Sequence, residues 1–287
     1  MGRKKPELIR EHYSFSDFLA RVQERLKAGA CWNDSSITGS YTFTKTKSME
    51  HALHLCRKGW LEGAQKIISG LDSLEGATAT ISRAPAVHYD VAGEVPDVAA
   101  YCAGECEHMM TFEPDEENHA PVVRIMFDGC YSGETKTKHI ENQGIALLSC
   151  IDALERTGRN VELIWSGASK NRDRTMAYCC NVTIKQAGEH FDVDRAAFAL
   201  AHPSMLRRMW FACAELNPAC KPLGYGYGVV KRLDAEHLES GVWYLPSIDA
   251  LGGCYNLAET VKAVTDWLND RLTAEDTHTA HTDGEAA

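Results

Sequence analysis

The sequence predicts an α/β protein, a mostly parallel sheet flanked by helices, with a helical region at its N-terminal end. Three stretches carry that prediction. Val122-Val-Arg-Ile-Met-Phe-Asp128 is a near-continuous apolar run, the pattern of a strand covered on both faces. Lys138 to Thr157 sets Ile140, Ile145, Leu147, Leu148, Ile151 and Leu154 on an apolar face broad enough to lie against a sheet. Val161-Glu-Leu-Ile-Trp165 is a second short apolar run, so residues 122–165 read as one βαβ unit with a right-handed crossover.

The remaining elements follow from caps and periodicity. Ser14 is placed to cap a helix in which Phe15, Phe18, Leu19, Val22 and Leu26 recur at helical spacing, with Asp17 in its first turn and Gly29 at its end. Gly39 to Thr46, rich in Thr, Ser and aromatic residues, reads as a loop or a short edge strand. Ser48 opens a second helix that Gly59 stops, and Leu61 to Leu74 forms a third. Val87 to Val91 and Met109 to Phe112 are short β-like runs around a small helical piece near Asp97 to Cys102. Met176 to Lys185 alternates into Asn181, Thr183 and Lys185 and reads as an edge strand. Asp192 and Asp194 begin a further helix, His202 lies where that helix ends, and Pro203 suits the first turn of the next, Ser204 to Leu216. Val242-Trp-Tyr-Leu245 is a short strand that Pro246 ends, and Leu257 to Leu272 is an amphipathic helix. The chain thus divides into a helical region 1–80, a connecting region 81–120, an α/β domain 121–272 and a polar tail 273–287 expected to be disordered.

Composition narrows the function classes. With 44% hydrophobic and 24% charged residues the chain has enough apolar side chain for a sizeable core. A formal charge of −10 disfavours non-specific nucleic-acid binding, and the short basic runs Arg3–Lys5, Lys170–Arg174 and Arg207–Arg208 read as solvated faces. The longest apolar stretch, Gly144 to Ala153, falls well short of the ~20 residues that span a bilayer, and no apolar run follows the basic start as in a secretory signal. Eleven cysteines without a regular frame, several inside apolar segments, suit a reducing compartment and point to the cytoplasm.

In a parallel sheet the loops leaving the carboxyl ends of the strands converge on a crevice, which makes Asp128 the first candidate for a site. The run Phe127-Asp128-Gly129-Cys130-Tyr131-Ser132-Gly133, followed by a helix and a strand, resembles the opening of a von Willebrand factor A domain. That resemblance implies a Rossmann-type topology. It also implies a site at which side-chain oxygens hold a divalent cation, Mg²⁺ being the expected one, and a partner's carboxylate completes the coordination. Carried onto this chain, the metal ligands are Asp128 and Ser132, with Asp249 as the second carboxylate and Thr183 as the hydroxyl. Cys130 stands where the family has a serine, and a thiol is a poor ligand for a hard cation. The plain alternative is that Asp128 and Ser132 cap the next helix or shape its turn.

A second resemblance covers most of the chain. Thr44-Lys-Thr-Lys-Ser48 through Gly59-Trp60-Leu61-Glu62-Gly63, Tyr89-Asp-Val-Ala-Gly93 and His202-Pro203 to Arg208 are similar to segments of an uncharacterised family of phage-encoded proteins, which implies no activity. The leading expectation is therefore a phage or mobile-element protein acting through contact with a protein partner. Two other classes stand beside it: a hydrolase or nuclease using Asp128 and Asp249 with a metal, or a Cys-based activity, and a virion- or nucleic-acid-associated structural protein. Cys102, Cys106 and His108, with His119 downstream, have the right atoms for zinc but not the spacing of a finger or ribbon. Gly224-Tyr-Gly-Tyr-Gly228 has no preceding strand and no following helix, so it reads as a flexible, aromatic-bearing loop rather than a nucleotide loop, with contact to a partner as an equal alternative.

Overall fold

A computed structural model of the chain describes residues 7–72, 87–90, 95–96, 109–112, 121–189, 192–233, 238–251 and 256–284. In order these form β1 (Glu7–Ser14), α1 (Phe15–Lys27), the single-turn helices α2 (Ser35–Thr38) and α3 (Tyr41–Thr44), α4 (Met49–Lys58) and α5 (Leu61–Asp72). The short strands β2 (Val87–Asp90), β3 (Val95–Pro96) and β4 (Met109–Phe112) follow, then β5 (Val122–Asp128), α6 (Thr137–Arg156), β6 (Asn160–Lys170), β7 (Met176–Lys185) and α7 (Val193–Ala201). A π-helical turn, Met205–Trp210, runs into α8 (Phe211–Leu216), and β8 (Val229–Val230), β9 (Val242–Leu245) and α9 (Leu257–Gly284) complete the chain.

The main sheet has the order β1-β7-β6-β5-β9, with β8 paired to β6. β5 pairs in parallel with β6 and with β9, and β1 in parallel with β7, while β6 and β7 are antiparallel. The sheet is therefore mixed and mostly parallel, and the βαβ unit at 122–170 is the one the apolar runs predict. β2, β4 and β3 make a separate antiparallel sheet.

The expected caps are present. Ser14 accepts the Asp17 N–H at 3.1 Å, Ser48 the His51 N–H at 3.2 Å and Asp192 the Arg195 N–H at 3.0 Å. Gly59 has φ 92°, and a Cβ there would come within 2.4 Å of Asp194 Cβ, so the turn between α4 and α5 is glycine-specific and lies against α7. Helices cover one face of the sheet: Phe18, Val22, Met49, Trp60 and Ile67 share one core with Ile125, Phe127, Trp165, Tyr178 and Val182. The N-terminal helices thus pack on the same core as the α/β region. On the other face Met126, Ile164, Ala168, Cys179 and Leu233 form a smaller cluster.

Four expectations differ from the structure. Residues 7–14 are a strand, not part of a helical region, and they cap the sheet edge. β7, expected at an edge, is covered by β1 and all ten of its residues are buried. Its polar alternation reflects hydrogen-bonded groups on the second sheet face rather than solvent. The stretch 39–46 holds the helical turn of α3 in place of an edge strand, and α9 continues to Gly284 through residues expected as a disordered tail. The helical piece near 97–102, together with Cys102, Cys106, His108 and His119, lies outside the described residues. Among the described residues no helix is long and apolar enough to cross a membrane.

Candidate functional site

A cavity of about 850 Å³ opens at the carboxyl ends of β5, β6 and β9. Its walls are the 130–133 loop after β5, Ser247 to Ala250 after β9, the α2–α3 segment, the π-helical turn and the loop 225–230. This is the rim at which an open parallel sheet presents its binding loops.

The loop after β5 is held from two sides. Asp128 is 2% exposed; its Oδ1 accepts the Cys130 N–H at 3.0 Å and its Oδ2 the Tyr244 hydroxyl at 2.7 Å. Burial pushes its carboxyl up to about 7, against the pull of those two hydrogen bonds. Asp249 reaches across from the loop after β9: Oδ2 accepts the Ser132 N–H at 2.6 Å, and Thr135 Oγ1 lies 2.8 Å from Oδ1 and 3.0 Å from Oδ2. Ser132 Oγ accepts the Glu134 N–H at 3.2 Å. The loop therefore uses both carboxylates as internal acceptors, a turn-shaping role that the plain alternative gives to Asp128 and Ser132 and does not extend to Asp249.

The structure brings three of the four proposed metal ligands, Asp128, Ser132 and Asp249, to this one loop. Thr183 is elsewhere. In register Asp128 lies level with Ser166 and Asn181, so Thr183 is two strands over and two residues down, about 12 Å away along the backbone. Its hydroxyl is 3.0 Å from His12 Nε2. Among the described residues no three His, Cys, Asp or Glu side chains gather so as to hold a metal ion. Cys130 is buried beside Asp128, and burial raises its thiol well above the ordinary range, opposite to what a nucleophile requires.

The buried cation on the lining is one that sequence reading assigns to solvent. Arg207 is 4% exposed and sits in the π-helical turn, a distortion that recurs at functional sites. Its guanidinium donates to Phe43 O at 2.8 Å, Thr135 O at 3.0 Å and Gly133 O at 3.2 Å, with its carbon 4.3 Å from the Phe43 ring centroid and 5.4 Å from that of Tyr131. Three of its five N–H groups are thereby used, and Nε has no acceptor among the described residues. Ser169, also 4% exposed and on the lining, has a buried Oγ without a partner among the described residues. Arg208 is the scaffold: it donates to the carbonyls of Ser36, Ile37, Gly39 and Thr46 and so fixes the α2–α3 wall.

The opposite wall depends on Glu215. Its Oε2 accepts Arg25 Nε at 2.6 Å and its Oε1 the Ser36 N–H at 2.8 Å, and it also accepts the Tyr227 hydroxyl. Tyr227 stacks on Phe211 with ring centroids 3.7 Å apart. The backbone at Gly224, Gly226, Tyr227 and Gly228 has positive φ, and a Cβ on Gly228 would lie 2.2 Å from Lys170 O. Tyr225, 93% exposed, stands at the cavity mouth. The glycine-tyrosine alternation was the one sequence signal for this wall; Arg207, Ser169 and Glu215 gave none, because a buried arginine and an exposed one look alike in sequence.

Residues 3–265 match the family model described as Domain of unknown function (DUF7192), so the chain belongs to that family. No curated protein and no solved structure matches it.

Proposed function

We propose that this member of the family acts by binding a protein partner, which inserts a side chain into the cavity at the sheet rim. The observation that carries the reading is the pair of deeply buried polar groups on the lining, Ser169 Oγ and Arg207 Nε, that have no hydrogen-bond partner among the described residues. Each such group costs about 1–3 kcal/mol when left unsatisfied, which a ligand would recover. A protein partner is favoured over a small molecule by the mouth. Tyr225 and Val229 on the lining, and Ile37 and Tyr41 in the adjoining α2–α3 segment, are exposed large apolar side chains, the kind of surface that surrounds an anchor pocket. On this proposal the protein works in a reducing cytoplasm, in accord with the free thiols of Cys56, Cys150, Cys180 and Cys213; its phage origin rests on the sequence resemblance alone.

The test is capture of a partner from the native host with three baits: the wild type, a Tyr225→Asp/Val229→Asp variant, and Leu61→Asp, an exposed apolar residue outside the lining. A partner lost only with the doubly substituted bait supports the rim as the interface. Equal capture by all three baits would sink the proposal.

A further inference from the structure

We infer that the side chain accepted by the cavity is acidic, and that the Arg207 guanidinium, rather than a metal ion, is the cation that receives it. The inference deepens the binding role proposed above and rests on it. The loop after β5 surrounds Arg207 with the carbonyls of Gly133 and Thr135, and α3 adds that of Phe43, so a fixed positive charge is held at the rim by oxygens. Its aromatic neighbours Phe43 and Tyr131 flank the guanidinium, in cation–π range. Among the described residues no direct ion pair compensates this charge: Asp249, the acidic side chain on the lining, spends its oxygens on Ser132 N–H and Thr135 O–H. Among the described lining residues a second cation, Arg232, is exposed, so two positive groups face one carboxylate, Asp249, in a chain whose net charge is −10. Arg207 Nε–H and the Ser169 hydroxyl, both buried and without a hydrogen-bond partner among the described residues, become a donor to a carboxylate and a further polar contact once the incoming group displaces the side chains that cover them. Aromatic side chains, Trp210, Phe211 and Tyr227 among them, line the same cavity and suit an apolar stem on the incoming group.

Three probes of one shape and three charges separate the possibilities: phenylacetate, phenylacetamide and phenethylamine, each titrated into the ¹⁵N-labelled full chain with and without EDTA. Phenylacetate is expected to shift amides of 130–133 and 225–230 with at least fivefold higher affinity than the amide, unchanged by EDTA, and phenethylamine to be the weakest. Arg207→Gln should abolish the preference for the anion while the amide still binds. Because Arg207 also holds backbone, Arg207→Lys serves as the second variant and should retain part of the preference. Equal binding of anion and amide, preference for the amine, or loss of phenylacetate binding with EDTA each overturns the inference. So does the absence of any shift with all three probes; the partner-capture result then still decides whether the rim is an interface.

Discussion

Two buried titratable side chains act on stability in opposite senses. Asp128 holds its proton up to about pH 7 because burial disfavours the charge, whereas in the unfolded chain it releases that proton near 4. Stability therefore falls as pH rises from about 4 to 7. His202 is clasped between Phe198, stacked at 4.9 Å, and Trp60, edge-on at 4.7 Å, and its Nδ1 accepts the Ser204 N–H; burial lowers its pKa to about 3. The folded chain excludes a proton that the unfolded chain takes up near 6.5, so this contribution is lost as pH falls from 6.5 towards 3. Urea unfolding at pH 4.5 and pH 7 should therefore show the Asp128→Asn variant gaining on the wild type by on the order of 3 kcal/mol at the higher pH. His202→Asn, costly in packing at any pH, should lose less than the wild type on acidification. An Asp128→Asn curve parallel to that of the wild type would mean the carboxyl is ionised at both pH values. Asp128 itself was legible in sequence, since it ends an apolar strand. What it does was not, because its hydrogen-bond partner Tyr244 lies 116 positions away.

At the level of elements, two glycines mark where close approach is unavoidable. Gly144 in α6 faces α7, and a Cβ there would lie 2.6 Å from Ala201 Cβ. Gly144→Leu should separate the two helices and cost about 1–3 kcal/mol, measured by denaturant midpoint at unchanged slope. Gly228→Ala combines a positive φ of 79° with a clash against Lys170 O, so it should release the 224–228 wall while leaving the main unfolding transition close to its original place. Limited proteolysis cutting near Tyr225 faster in that variant is the expected sign; an unchanged cleavage rate would show that the wall is not held by this contact. The βαβ unit, the β7 and β9 bounds and three helix caps were readable because strand hydrophobicity and capping are local. β1 was not: its sequence, with four charged or imidazole side chains in eight residues, acquires strand character only by pairing with β7.

For the molecule as a whole, the shared core predicts that the chain does not divide near residue 80. Phe18, Met49, Trp60 and Ile67 are buried against the same cluster as the sheet. A fragment spanning 121–284 should therefore fail to unfold cooperatively in a thermal scan, for it lacks the helices that cover one face of the sheet and the strand that covers β7. A sharp, reversible transition for that fragment would establish an independent domain. The boundary drawn from sequence followed a change in texture, from helical periodicity to β-like runs. Texture reports local structure, whereas a domain boundary depends on which side chains meet.

The parallel pairing of β1 with β7 also orders events during synthesis. Glu7 meets Met176, about 170 positions later, so β1 is synthesised long before the strand it pairs with. Until then the edge of β1 is open to any neighbouring chain. Nascent protein should depend on chaperone cover for that interval, and slowing translation before residue 176 should lengthen it.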